Sequence, residues 1–128
     1  MIQEDREFIL KDLSARQPYG VFVGYEHYTD RHIVTTKLTG IRGGLYYDAD
    51  GQIPDNELKP YLRPMRSITE EEIKELSKID MKRVIFSSRH LTWHLDGEII
   101  DYLNKKMLDW RGLIPRGLAL EAPEGMYN

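Results

Sequence analysis

The sequence predicts an α+β fold in which three helices accompany a small antiparallel sheet. Three segments repeat apolar residues at helical spacing, and the region between the first two contains aromatic and β-branched runs separated by Gly and Pro. The chain has 128 residues, of which 41% are hydrophobic and 30% are charged. This length and composition favour one globular domain spanning residues 1–128.

The first helix is predicted over residues 3–15, and Pro18 stops it. Lys11 and Asp12 are expected on the side that faces water. The opposite, apolar side is formed by Phe8, Ile9, Leu10 and Leu13.

Three strands are predicted to follow the first helix as an antiparallel meander. Residues 19–28 and 32–41 are rich in aromatic and β-branched side chains, and residues 45–47 begin the third strand. A Gly-Gly pair and an Asp-Gly pair mark the turns around that third strand. Prolines on both sides of residues 61–63 confine that piece to an edge strand or a strap. These short strands would suit a small SH3-like barrel.

The second helix carries the clearest local signal in the chain. Thr69 and Glu72 have the spacing of a capping box, in which each side chain bonds the backbone N–H of the other residue. Ile68 and Ile73 have the spacing of a hydrophobic staple around the same start. The sequence therefore predicts a helix that begins after Thr69 and ends near Lys78.

A short strand and a last helix are predicted beyond the second helix. The strand occupies the apolar run at residues 83–87. Asp96 is expected to cap the last helix, which continues to about Leu108. The residues of this helix that face inward are Ile99, Ile100, Leu103 and Met107.

The C-terminal residues 108–128 are unusually apolar, because a chain end is ordinarily polar and frayed. Gly and Pro interrupt the segment and exclude a long helix. Two interpretations stay open: an ordered strap that closes the chain's own core, which is favoured, or a docking peptide for a protein partner. Either role would involve Trp110, Arg111, Leu113, Leu118, Met126 and Tyr127.

Composition excludes several classes of site. The chain has no cysteine, so disulfides, thiolate zinc sites and cysteine nucleophiles are excluded. A net charge of -3 argues against non-specific DNA binding, which requires a clustered basic excess. The sequence shows neither a signal peptide nor a stretch of transmembrane length, so we expect a cytoplasmic protein with no membrane partner.

Two pairs of histidines have spacings that can bind a metal ion. His90 and His94 are four residues apart, but no Glu lies between them and the segment is not predicted to be helical. His27 and His32 could approach each other across a hairpin. Surface or half-buried histidines are the favoured interpretation, so the sequence assigns no metal ligand and no cofactor.

The remaining candidate motifs lack the spacing that their chemistry requires. Asp48 and Asp50 resemble the start of a calcium loop, but its twelfth position is Lys59 rather than Glu, so a β-turn is favoured. No catalytic residue is assigned, and the balance favours a non-enzyme. Residue types of a hydrolase triad, without a nucleophile elbow, occur at Ser87, Ser88, His90 and Asp96.

Tyrosines and arginines of the strand region form a further candidate site. If the sheet brought them together, they could stack on the bases of a single strand and contact its phosphates. The favoured alternative is that the tyrosines cover a small core and the charges are solvated. The candidate nucleic-acid face consists of Tyr25, Arg42, Tyr46, Tyr47 and Arg63.

The segments DWRGLIPRGLALEAPEGMY at residues 109–127 and LKPYLRPM at residues 58–65 carry a family resemblance. Together with TEEE at 69–72, they resemble a family of small uncharacterised proteins from gut Bacteroides and their phages and prophages. The resemblance implies an intracellular, phage-related protein, and it brings no catalytic or binding residues with it.

The leading functional hypothesis is a non-enzymatic accessory protein that acts by binding another protein. A nucleic-acid-binding module is the alternative, and a small hydrolase or metal-dependent enzyme is the least favoured class. The sequence identifies neither the protein partner nor the oligomeric state.

Overall fold

The fold combines helices with several small sheets, which confirms the predicted α+β class. The computed structural model describes residues 1–54, 57–79, 85–87, 90–92 and 97–127. Short 3-10 helices follow the first helix at Gln17–Tyr19 and precede the second at Met65–Ser67. The helices within the described residues are α1 (Gln3–Arg16), α2 (Glu70–Ile79) and α3 (Gly97–Lys105).

The strands of the described residues form three sheets. The main sheet contains, in spatial order, β2 (Ile33–Lys37), β1 (Phe22–Glu26), β6 (Lys59–Leu62) and β9 (Leu120–Glu121). A second sheet contains β3 (Gly40–Arg42), β4 (Leu45–Asp48) and β5 (Gly51–Gln52), and a third pairs β7 (Ile85–Ser87) with β8 (His90–Thr92). None of the described sheets closes into a barrel, so the SH3-like arrangement is not found in this part of the chain.

The predicted meander is wrong at its second strand, because residues 32–41 divide between two sheets. The Leu38 N–H donates to the Val21 carbonyl at 3.0 Å, at the end of the β1–β2 ladder. The next residue, Thr39, donates its N–H to the Tyr47 carbonyl at 2.8 Å and so joins the second sheet. The chain changes partner here because the side chain of Leu38 turns into the core, where it is 2% exposed.

The predicted edge strand is also corrected, because β6 lies inside the main sheet. It pairs antiparallel with β1 on one side and parallel with β9 of the C-terminal segment on the other. The Arg63 N–H donates to the Met107 carbonyl at 2.7 Å, and the Asp109 N–H donates to the Arg63 carbonyl at 2.8 Å. The C-terminal segment therefore covers the edge of β6 that faces away from β1, where the prolines supply no backbone N–H donors.

The C-terminal segment forms the predicted ordered strap, defined here as residues 108–127. Leu113, Leu118 and Ala119 are buried in the same core cluster as Leu13 of α1 and Val23 of β1. A hydrogen bond of 2.8 Å from the Ala122 N–H to the Leu62 carbonyl continues the pairing beyond β9. These contacts make the strap part of the chain's own fold.

A glycine in β1 gives the strap the room it needs. A Cβ at Gly24 would lie 2.8 Å from Cδ1 of Leu120 and 3.0 Å from the ring of Tyr61. Real Cβ atoms essentially never come within 3.0 Å of other heavy atoms, so a larger residue at this position would force the side chain of Leu120 to shift.

Asp12 lies in the interior, which corrects its expected position on the wet side of the first helix. Asp12 and Arg16 are both fully buried, and the Arg16 Nε donates to the two Asp12 carboxylate oxygens at 3.1 and 3.0 Å. Arg111 of the strap places its Nε 3.6 Å from the same carboxylate. Burial raises the pKa of Asp12, and the Arg16 guanidinium offsets part of that rise.

The two later helices differ in how well the sequence predicts their ends. The capping box of α2 is confirmed, because the Glu72 N–H donates to Oγ1 of Thr69 at 3.1 Å and the Thr69 N–H donates to Oε1 of Glu72 at 3.0 Å. The predicted end of the last helix at Leu108 is wrong, since α3 stops at Lys105 and Met107 adopts a left-handed φ of 58°. The predicted cap at Asp96 lies outside the described residues.

We expect Leu113→Ala to lower the free energy of unfolding by about 2–5 kcal/mol, because its side chain is fully buried and its loss leaves a cavity. Leu45→Ala removes the same atoms from a side chain that is 42% exposed, so it should cost less than about 0.5 kcal/mol. Urea denaturation of both variants measures the difference. Equal midpoints would show that the strap is not part of the core.

Candidate functional site

A cleft of about 890 Å³ lies between the strap, the 3-10 helix Met65–Ser67 and the end of α3. Tyr19, Met107 and Tyr127 contribute apolar surface to it. Its charged lining is balanced, with four cationic and four acidic residues: Arg63, Arg66, Lys105, Lys106, Glu71, Glu72, Glu121 and Glu124.

A bidentate ion pair forms one wall of the cleft. The two terminal nitrogens of Arg63 each donate to a carboxylate oxygen of Glu72 at 2.7 Å. Arg63 also donates to the carbonyls of Ser67 at 3.0 Å and Lys106 at 3.3 Å. The hydrogen bonds between Arg63 and Glu72 lower the pKa of Glu72 to about 2 and raise the pKa of Arg63. At neutral pH both groups are therefore charged, and their charges cancel.

The floor of the cleft is held by the phenol of Tyr127. This hydroxyl donates to the Tyr61 carbonyl at 2.6 Å and accepts the Phe22 N–H at 2.9 Å. One side chain therefore joins the strap to both β1 and β6. Burial raises the pKa of Tyr127 to about 12, so the phenol remains a donor at neutral pH.

The hydroxyl groups of Ser67 and Thr69, which line the cleft, form hydrogen bonds with the backbone. Ser67 donates its hydroxyl to the Pro64 carbonyl at 2.7 Å, and the Thr69 hydroxyl accepts the cap bond of α2. The lining residues include no histidine. Among the described residues that line the cleft, neither Ser67 nor Thr69 is therefore paired with a histidine base.

The structure assigns the six predicted tail residues to several different contacts. Leu113 and Leu118 are core residues, and Met126 is half-buried. Trp110 donates its Nε1 to Oδ1 of Asn104 at 2.9 Å, and the Arg111 guanidinium lies 4.5 Å from the centre of the Trp110 ring. Of the six, only Tyr127 is among the residues that line the cleft.

The predicted tyrosine and arginine face is not brought together by the described residues. Tyr46 is 6% exposed and belongs to the core, and Tyr25 packs against that core. Arg63 lies in the cleft wall with Glu72 as its partner. Arg42 remains beside Tyr47, with its guanidinium 4.6 Å from the ring centre. Tyr46 belongs to the core because alternate side chains of β4 point to opposite faces of the sheet.

Two histidines and an aspartate meet at the turn between β1 and β2. The His27 N–H donates to the His32 carbonyl at 2.8 Å, so the two residues face each other across the hairpin, as expected. Their rings stack with centroids 4.9 Å apart and planes inclined by 16°. Asp30 accepts hydrogen bonds from both the backbone N–H and Nδ1 of His32. The sequence did not predict Asp30 as a member of this group.

The other sequence motifs have structural explanations or lie outside the described residues. The Asp50 N–H donates to Oδ1 of Asp48 at 2.9 Å, which confirms the predicted turn. Ser87 ends β7 and His90 begins β8. The expectations for Ser88, His94 and Asp96 concern residues that are not described.

Comparisons with protein-family models, with curated proteins and with solved structures find no match for this chain. Among the described residues, no helix has the length and apolar character needed to cross a membrane.

We expect Glu72→Gln to flatten the loss of stability in acid. Because the folded-state pKa of Glu72 is depressed from 4.5 to about 2, its contribution is present above about pH 4.5 and is lost as the pH falls towards about 2. Allowing for solvent screening, the wild type should lose about 1 kcal/mol more than the variant across that range. Urea denaturation at several pH values measures the slope.

The matched control for this prediction is Glu71→Gln, which changes an exposed neighbour that also lines the cleft. It should keep the acid dependence of the wild type. Identical slopes for all three proteins would contradict the role given to the Arg63–Glu72 pair.

Proposed function

We propose that this chain is a non-enzymatic, intracellular accessory protein of phage or prophage origin that binds an extended segment of another protein in the cleft. The observation that carries the proposal is the balanced charge of the cleft around an apolar floor. The resemblance of the strap to proteins of gut Bacteroides and their phages supports the origin.

The size and chemistry of the cleft support a peptide as its occupant. A volume of about 890 Å³ is typical of sites that bind ligands. Lys105, Glu71 and Glu124 are exposed charges of both signs at its surface. A peptide that carries both signs complements such a rim, whereas a polyanion meets as many repulsive as attractive groups.

The free edge of β9 supports an extended conformation for that peptide. Tyr61 pairs with Leu120, and the Ala122 N–H bonds the Leu62 carbonyl. Because backbone groups alternate in direction along a strand, those of Glu121 point away from β6. Within the described residues, β9 is the outer strand of the main sheet and Glu121 lines the cleft, so a strand added beside β9 would meet the backbone groups of Glu121 there.

A nucleic-acid-binding module remains the second candidate, and one observation favours it. The stacked pair of Arg42 and Tyr47 on β3 and β4 offers a cation beside an aromatic ring. The burial of Tyr46 and the pairing of Arg63 remove two members of the expected face. The protein-binding proposal is therefore better supported.

The test places a photo-crosslinking amino acid at Lys105 in the cleft or at Lys11, an exposed lysine of α1 that does not line it. Extracts of a gut Bacteroides host, treated with nuclease, should give a discrete protein adduct from position 105 and none from position 11. Lys105→Glu should weaken capture of the isolated partner several-fold through charge repulsion, and Lys11→Glu should leave it unchanged.

Two results would contradict this proposal. Equal adducts from both positions would show contact without specificity. An adduct that nuclease removes, together with oligonucleotide binding that Tyr47→Ala weakens, would favour the nucleic-acid alternative.

A further inference from the structure

We infer that His27, Asp30 and His32 form a binding site for one divalent transition-metal ion, with Zn²⁺ as the representative ion. This hairpin site is separate from the cleft, and the inference does not rest on the proposed function. It departs from the sequence-based expectation of no metal ligand.

The backbone of the hairpin holds the three side chains together without any ion. His27 follows the last residue of β1, His32 precedes the first residue of β2, and the hydrogen bond between them aligns their backbones. The Arg31 N–H donates to the His27 carbonyl at 2.9 Å and closes the turn. Arg31 adopts a left-handed φ of 60°, which reverses the chain direction between Asp30 and His32.

The candidate ligand atoms already lie close to the spacing that coordination requires. The His27, Asp30 and His32 ligand atoms are all within 4.8 Å of one another, and His27 Nδ1 is 3.7 Å from Oδ1 of Asp30. Zinc bonds of about 2.0–2.1 Å in tetrahedral geometry separate ligand atoms by roughly 3.3 Å. Small side-chain rotations would therefore suffice.

The hydrogen bonds at His27 show which of its ring nitrogens carries no proton. The Thr29 N–H donates to His27 Nδ1 at 3.3 Å, and the Thr29 hydroxyl lies 2.7 Å from the same nitrogen. Because Nδ1 accepts a backbone N–H, it carries no proton, and a metal ion would bind its lone pair by displacing the Thr29 hydrogen bonds. At His32, the ion would replace the hydrogen bond between Nδ1 and Asp30, with the ring proton carried on Nε2.

The ligand set selects the class of ion. Two imidazole nitrogens and one carboxylate oxygen suit Zn²⁺, Ni²⁺, Co²⁺ and Cu²⁺, whereas Ca²⁺ and Mg²⁺ prefer oxygen ligands alone. Three protein ligands leave at least one coordination position for water or for a group from outside. Side-chain exposures of 36% for His27 and 55% for His32 leave that position accessible from solvent.

The experiment is calorimetric titration of the untagged full chain with zinc chloride. We expect one Zn²⁺ per chain. Loss of groups that merely orient ligands weakens metal affinity by about 10–100-fold, so His27→Ala and His32→Ala, which remove direct ligands, should each weaken it at least tenfold. Asp30→Asn should also weaken binding. The matched control is His90→Ala, which removes a histidine outside the group and should bind as the wild type does.

A second measurement guards against a variant that alters the hairpin. In histidine ring NMR spectra of the wild type, Zn²⁺ should shift the signals of His27 and His32 in proportion to the bound fraction and leave those of the other two histidines in place. Calcium chloride at the same concentrations should shift neither pair. Absence of saturable binding, or binding that persists in His27→Ala and is lost in His90→Ala, would overturn the inference.

Discussion

The docking of the C-terminal strap onto β6 is the constraint on which the rest of the structure depends. The strap bonds the carbonyl of Leu62 in β6 and that of Arg63 just after β6, and its Tyr127 joins β6 to β1 through one hydroxyl. It buries Leu113 in the main core and supplies one side of the cleft. Without this docking, a strand that contains a proline would be left as an open edge, and open edges promote aggregation. The fold and the cleft therefore both depend on the docking of the strap onto β6.

The buried pair of Asp12 and Arg16 in α1 lies against a charged residue of the strap. Two charges with no exposure are stable only while each keeps its partner, and the loss of one partner from such a pair costs about 3–5 kcal/mol. Arg111 of the strap adds a third charge beside the Asp12 carboxylate. Asp109 accepts the N–H groups of Leu113 and the residue after it, which shapes the turn that carries Arg111. The contact between Arg111 and Asp12 thus joins the strap to α1 in addition to the apolar packing of Leu113.

The sequence predicted those features that depend on residues close together in the chain. The capping box of Thr69 and Glu72 can be recognised from a spacing of three residues. The ordered strap can be recognised from the apolar composition of its own segment. The spacing of Asp12 and Arg16 is local, but the burial of the pair beside Arg111 depends on a segment far along the chain, so it could not be predicted. The end of α3 was missed because Met107 takes a left-handed position that is ordinarily glycine. The cleft was missed since its walls come from three separate segments.

Native-state hydrogen exchange of individual backbone amides tests the central claim most directly. The Ala122 N–H bonds β6, and the Phe22 N–H bonds the Tyr127 hydroxyl, so both report on the docked strap. If docking is part of global folding, both amides should exchange with the same opening free energy as the Leu38 amide that bonds Val21 at the end of the β1–β2 ladder. Exchange of the Ala122 amide at the rate of an exposed loop, while the Leu38 amide stays protected, would contradict the account.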